Sequence, residues 1–140
     1  MTIEDRAKAV EADFALLEDW ESRFSYIIDL GRSLSPMTPE ELCEANRVKG
    51  CSSQVWLVSS PSETVPGALA FRGASDALIV GGLTALLISL YSDQKPEDIL
   101  AFDAEAFFQR IGVAEALTPQ RSNGLKSMLV RIRAEAGARA

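Results

Sequence analysis

Apolar residues along this 140-residue chain change their spacing twice, and each change marks a new kind of element. Near the start they recur at helical intervals. Val10, Phe14 and Leu17 lie four and three apart on one helix face, with Thr2 as its cap and Asp5 three residues on. Asp19 is placed to cap a second helix carrying Trp20, Phe24, Ile27 and Ile28 on one side, with Gly31 at its C-terminal end. At this spacing Trp20 reads as packing rather than as part of a site. Ser35-Pro36-Met37-Thr38-Pro39 then breaks the chain. Thr38 as cap, Pro39 at the first helical position and Glu41 at the third predict a short helix that carries Cys43 and ends near Asn46.

The middle of the chain switches to short runs of strand formers. A first strand is predicted over about 54–59, with the Trp56 ring in the core, and Pro61-Ser62-Glu63 as a turn. A second strand is predicted over 67–72, then a tight turn at Gly73-Ala74-Ser75-Asp76 into a third, short strand over 77–80. Gly81-Gly82 is followed by no lysine and has no GxGxxG spacing, so it is not a phosphate-binding loop. The pair reads instead as small residues that let a helix start approach the sheet.

Helical spacing then returns. Leu83, Leu86, Leu87 and Leu90 make the buried face of a central helix, and Lys95-Pro96-Glu97-Asp98 starts a short helical turn. Asp103 caps a helix bearing Phe107, Phe108 and Ile111, which Gly112 stops. Thr118-Pro119 opens the last helix, striped by Leu125, Met128, Leu129 and Ile132, with fraying expected after Ala136. The reading is one α+β domain over residues 1–140: a small three-stranded antiparallel sheet covered by helices, with helices at both ends.

Composition narrows the function. A hydrophobic fraction of 47% and a charged fraction of 24% are ordinary for a soluble globular chain. A net charge of -6 argues against nucleic acid or an anionic membrane as partner. The charge is uneven: residues 1–50 hold eleven acids and six basic residues, whereas 121–140 hold five basic residues and only Glu135. That basic helix suits a solvated face or the guidance of a protein partner. The amino terminus has no apolar core of a signal peptide, and the uncharged run 77–92 is too short and polar for a membrane span. Two cysteines with no mark of secretion predict a cytoplasmic protein with free thiols.

The absence of histidine excludes a Cys-His dyad, a Ser-His-Asp triad and the usual zinc sites, and two cysteines alone make no metal site. Glu40/Glu41 and Glu97/Asp98 stand at helix starts, where carboxylates suit the dipole. Cys43 reads as a small buried hydrophobe. Cys51 stands apart, in Arg47-Val48-Lys49-Gly50-Cys51-Ser52-Ser53-Gln54-Val55-Trp56-Leu57. Gly50 can take backbone angles closed to other residues, which puts the thiol at the tip of a turn. Arg47 and Lys49 favour the thiolate, the reactive form.

That stretch resembles the SufE family of sulfur-acceptor proteins. So do Gly73-Ala74-Ser75-Asp76-Ala77-Leu78-Ile79-Val80-Gly81-Gly82-Leu83 and Leu117-Thr118-Pro119-Gln120-Arg121-Ser122-Asn123-Gly124-Leu125, while Trp20 and residues 26–31 fit its amino-terminal helices. Ser52 departs from the glutamine of many relatives. The resemblance implies the same fold, and Cys51 as a carrier taking persulfide sulfur from a SufS-like cysteine desulfurase and passing it to a SufBCD-like iron–sulfur scaffold. It implies faster desulfurase turnover, no cofactor of the chain's own and pyridoxal phosphate on the desulfurase. Asp76 and Arg121 match family positions and are expected to support the loop or contact the partner, with Arg47, Lys49 and Gly50. Thiolate attack on a persulfide needs neither acid nor base, which fits a chain with no independent catalytic site evident. Small Gly50, Ser52 and Ser53 beside apolar Val48, Val55 and Leu57 would let the thiol stay shielded until a partner docks. Two other readings are a thiol redox sensor using Cys51, with or without Cys43, and an adaptor whose cysteine is incidental.

Overall fold

Helix α3 (Leu78–Tyr91) is central to the fold: both amino-terminal helices, the second strand and the last helix pack on it. Its residues from Val80 to Leu87, with Leu90 and Tyr91, are all buried, as befits a helix that is apolar all round. A computed structural model of the chain describes residues 2–50 and 53–139. Helix α2 (Trp20–Arg32) crosses α3 with the two backbones in contact. A Cβ at Gly82 would collide with the Ile27 carbonyl oxygen, and one at Gly31 would stand 2.8 Å from the Gly82 nitrogen. Gly31, at the C-terminal end of α2 as expected, and Gly82 are therefore contact residues between the two helices, and Gly82 is not a helix-to-sheet spacer.

The sheet has two strands, not the three expected. Strands β1 (Val55–Pro61) and β2 (Leu69–Ser75) pair antiparallel, from Val55 opposite Ser75 to Pro61 opposite Leu69. Residues 77–80, read as a third strand, enter the first turn of α3, where the Gly81 amide donates to the Ala77 carbonyl at 2.8 Å. A short apolar run before glycines fits strand and buried helix equally well. Gly73 belongs to β2 rather than to a turn. A Cβ there would lie 2.9 Å from Leu57 Cδ2 and from Thr84 Cγ2, so the glycine lets sheet and α3 close together. Strand alternation turns Val55 and Leu57 inward and leaves Trp56 half-buried, which corrects its placement in the core.

Helix α1 (Ile3–Ala15) begins at the expected capping box, Thr2 and Asp5 each accepting from the other's amide. Asp19 accepts from Ser22 at the start of α2. After α4 (Pro96–Ala101), Asp103 accepts from Ala106 to open α5 (Ala104–Arg110). Gly112, at φ +77°, then leads into α6 (Val113–Ala116). Helix α7 (Pro119–Arg139) does not fray after Ala136: that residue is buried and helix continues to Arg139. Leu125, Met128, Leu129 and Ile132 seat it in the core.

Between α2 and β1 the predicted helix does not propagate. Thr38 and Glu41 do exchange the capping hydrogen bonds, at 3.2 and 2.9 Å, but only a 3₁₀ turn follows, at Glu44–Asn46. The segment has no apolar stripe to bury, and a lone turn is costly without one. Arg72 holds it against β2 instead, donating to Glu41 at 2.7 Å and to the Pro36 carbonyl at 2.5 Å. Cys43 is extended and exposed here, not a buried helix residue.

Candidate functional site

The loop between the 3₁₀ turn and β1 is closed at its base by main-chain pairing. The Val48 amide donates to the Val55 carbonyl at 2.8 Å, and Arg47 bridges to Trp56. One step nearer the tip, Asp76 clamps Gln54: its carboxylate accepts the Gln54 amide at 3.0 Å, and its own amide donates to the Gln54 carbonyl at 3.2 Å. Asp76 sits just past the end of β2, so the sheet itself places this clamp. Cys51 and Ser52 lie outside the described residues, and with them the shielding of the thiol and any pairing of Cys43 with Cys51. Gly50, just before Cys51, has φ +90°, the left-handed backbone that glycine tolerates. A Cβ there would stand 2.6 Å from Ser127 Oγ, so the loop leans on α7 at this point.

Helix α7 holds the approach to the loop as well. Arg131 donates to the Ala45 carbonyl at 3.1 Å and the Arg47 carbonyl at 3.3 Å, and pairs with Glu135 at 3.0 Å. Glu135 in turn accepts from Ser59 Oγ of β1 at 2.8 Å. Burial pushes the Glu135 carboxyl up, but the hydrogen bonds from Ser59 and Arg131, with the Arg131 and Arg139 charges, bring it below its ordinary value.

Arg47 and Lys49, expected to act on the thiol, share one carboxylate. Lys49 bonds Glu44 directly and Arg47 approaches it at 3.7 Å. The Lys49 hydrogen bond, then its charge, holds the Glu44 carboxyl below its usual range. Two cations against one anion leave a positive excess beside the loop. With both Lys49 and Glu44 side chains 70% exposed, water screens that pair heavily and exchange of partners costs little.

An open groove of about 780 Å³ runs along the other side of the loop. Ser53 lines it together with Ile28, Ala77, Leu78, Ile79, Thr118, Arg121 and Gly124. Leu78 is 68% exposed, an unusual position for a leucine. Arg121 forms no ion pair among the described residues. The structure thus gathers Arg47, Lys49, Gly50, Asp76 and Arg121 around one loop, although they come from three parts of the chain. Sequence reasoning missed Glu44, Gln54, Ser127 and Arg131. Of these only Arg131 carries a signal, its i,i+4 spacing to Glu135.

Among the described residues no group of three or more His, Cys, Asp and Glu is placed to hold a metal ion, and no helix is long and apolar enough to cross a membrane.

A family model described as SufE, Fe-S metabolism associated domain, matches residues 8–136. An uncharacterised SufE-like protein of Rhizobium etli is 46% identical over 129 residues, covering 91% of this chain and 87% of the relative. Another, from Rhizobium meliloti, is 43% identical over 128 residues and covers 91% of each. The fold is similar to the solution structure of a hypothetical protein from Thermus thermophilus, with a TM-score of 0.77, 22% identity, and coverage of 96% of this chain and 95% of that one.

Proposed function

The chain belongs to the SufE family of iron–sulfur metabolism, and from that premise we propose that it is a persulfide carrier with Cys51 as the sulfur-bearing residue. The Cys51 thiolate attacks the outer sulfur of a cysteine persulfide on a desulfurase. A new S–S bond forms at Cys51, the old one breaks, and the desulfurase thiolate leaves with the electron pair. The step is a sulfur exchange with no net oxidation, and pyridoxal phosphate chemistry stays on the desulfurase. A scaffold that assembles iron–sulfur clusters is the acceptor for the second transfer.

The observation that supports this reading best is how the flanks of Cys51 are held. Asp76, the Val48–Val55 pairing and the Gly50–Ser127 contact fix both ends of a short loop at the edge of an open groove. An arrangement of this kind presents one residue to a docked protein without building a pocket for a small substrate. Arg121, with no ion pair among the described residues, is available to an acidic group of that protein.

The test is incubation with a cysteine desulfurase and cysteine, followed by intact-mass analysis without reductant. Sulfur additions are expected on the wild-type chain and on Cys43→Ala, and none on Cys51→Ser. Loading of a folded Cys51→Ser variant, or none of the wild type, defeats the assignment.

A further inference from the structure

We propose that Glu44 is a positioning residue for the sulfur-bearing loop: by holding Lys49 and Arg47 it limits the positive charge that reaches Cys51, and so restrains the thiol in the free chain. The inference rests on Cys51 as the residue that carries sulfur. Glu44 opens the 3₁₀ turn and receives both cations that precede Cys51, Lys49 by a hydrogen-bonded ion pair and Arg47 at 3.7 Å. Lys49 stands two residues before Cys51, a span of at most about 7 Å in any backbone conformation. A cation at that remove acts on a thiol, and pairing with a carboxylate decides how strongly.

Positive charge favours the thiolate, and it also favours the approach of a negatively charged reagent. Each ion pair with Glu44 subtracts from both effects, and the neighbouring elements supply no substitute. Strand β1, packed on the turn, carries no charged residue. On α7, Arg131 pairs with Glu135 and directs its other donors to the Ala45 and Arg47 carbonyls. Arg72 of β2 pairs with Glu41 in the segment before the turn. Asp76, at the Gln54 amide, is opposed in sign by Arg121 on the groove side. The balance at the loop is therefore set within its own approach, by one carboxylate against two cations.

Such a restraint has a use. Oxidation of cysteine follows thiolate character, and its later steps are irreversible, so a carrier waiting unloaded is protected by a less ionised thiol. The exposure of Glu44 and Lys49 fits this role better than a structural one, because a pair so open to water adds little to stability. The carboxyl of Glu44, held below its usual range by the Lys49 hydrogen bond and charge, stays ionised wherever a thiol titrates.

The test reads Cys51 alone, in the full chain carrying Cys43→Ala, by alkylation with neutral iodoacetamide and anionic iodoacetate as pH is varied. Glu44→Gln is expected to lower the midpoint of the iodoacetamide rate profile by about 0.3–0.5 pH unit and to raise the rate near neutral pH about twofold to threefold. Iodoacetate, which meets the potential directly, should gain about twofold more than iodoacetamide. In a chain that also carries Arg47→Gln and Lys49→Gln, the effect of Glu44→Gln should fall below about half. An equal effect there would mean that Glu44 acts as a bare charge and not through the cations, which overturns the proposal. An unmoved midpoint, or one that rises, overturns it too, as does a loosened loop that speeds both reagents alike at every pH. None of these readouts needs sulfur or a desulfurase. Failure here therefore leaves the sulfur-loading test of Cys51 standing, and absent loading with the expected alkylation shift would fault the carrier role alone.

Discussion

Asp76 and Gln54 exchange two hydrogen bonds, carboxylate to amide at 3.0 Å and amide to carbonyl at 3.2 Å, across the open end of the sheet. The pair joins the loop's last residue before β1 to the first residue after β2, one step beyond the Val55–Ser75 pair that ends the ladder. The sheet's rigidity is thereby carried one pair further, into the loop that holds Cys51.

Removing the carboxylate should loosen the loop without unfolding the protein. Asp76→Ala loses one hydrogen bond, worth about 1 kcal/mol, and keeps the main-chain one. Faster amide exchange at Ser53 and Gln54 is expected, with sulfur loading slowed several-fold. Asp76→Asn retains an accepting oxygen and should stay near wild type. Equal loading rates for wild type, Asn and Ala would show that the clamp does not serve the loop.

Gly50 faces two constraints that a pair of variants separates. Gly50→Ala must hold an alanine at φ +90° and place its Cβ 2.6 Å from Ser127 Oγ. The backbone term alone costs about 1–2 kcal/mol. Adding Ser127→Ala removes the oxygen and leaves the Ser127 Cβ position at an ordinary 3.5 Å. The double variant should therefore recover part of the stability lost, measured by denaturant unfolding, but not all. Full recovery would mean that the backbone strain is absent, and no recovery that the side-chain contact is.

Caps and helix stripes are legible in the sequence because they depend on neighbours three and four residues away. Thr2 with Asp5, Asp103 with Ala106, and the stripe from Leu125 to Ile132 all stand as read. The sheet is misread where a residue's role depends on something distant. Gly73 reads as a turn residue and Gly82 as a spacer between a helix start and the sheet until Leu57, Thr84 and Ile27 are placed against them. At the site, Asp76 and Arg121 emerge through family likeness, and only the fold puts Gln54 beside one and the groove beside the other. Nothing local announces that Ser127 or Arg131 will meet residues about eighty positions away.

Strand polarity supplies a direct check on the corrected place of Trp56. Leu57 is 1% exposed while Trp56 next to it is half-buried, so Leu57→Ala should be the more damaging change despite the smaller side chain. A loss of about 2–5 kcal/mol is expected for Leu57→Ala and clearly less for Trp56→Ala. The reverse order in urea unfolding would place the Trp56 ring in the core after all.

Glu135 ties stability to pH at the same end of the molecule. It accepts from Ser59 of β1 and pairs with Arg131, which holds the Ala45 and Arg47 carbonyls, so one carboxylate joins α7 to both flanks of the loop. Burial opposes its ionisation, but these hydrogen bonds and the arginine charges win, and its folded pKa lies below the ordinary 4.5. The folded state then binds fewer protons than the unfolded state over the interval between the two values. Its contribution is fully present above the unfolded pKa and is lost as pH falls through the folded one. Glu135→Gln imitates the protonated form. Urea unfolding from pH 7 down to about 3 should show the variant less stable by a constant amount above about pH 5, with the two curves converging in acid. A gap that stays constant into acid, or widens there, would mean that Glu135 is not held ionised by this network, and that the tie between α7 and the loop flanks rests on Arg131 alone.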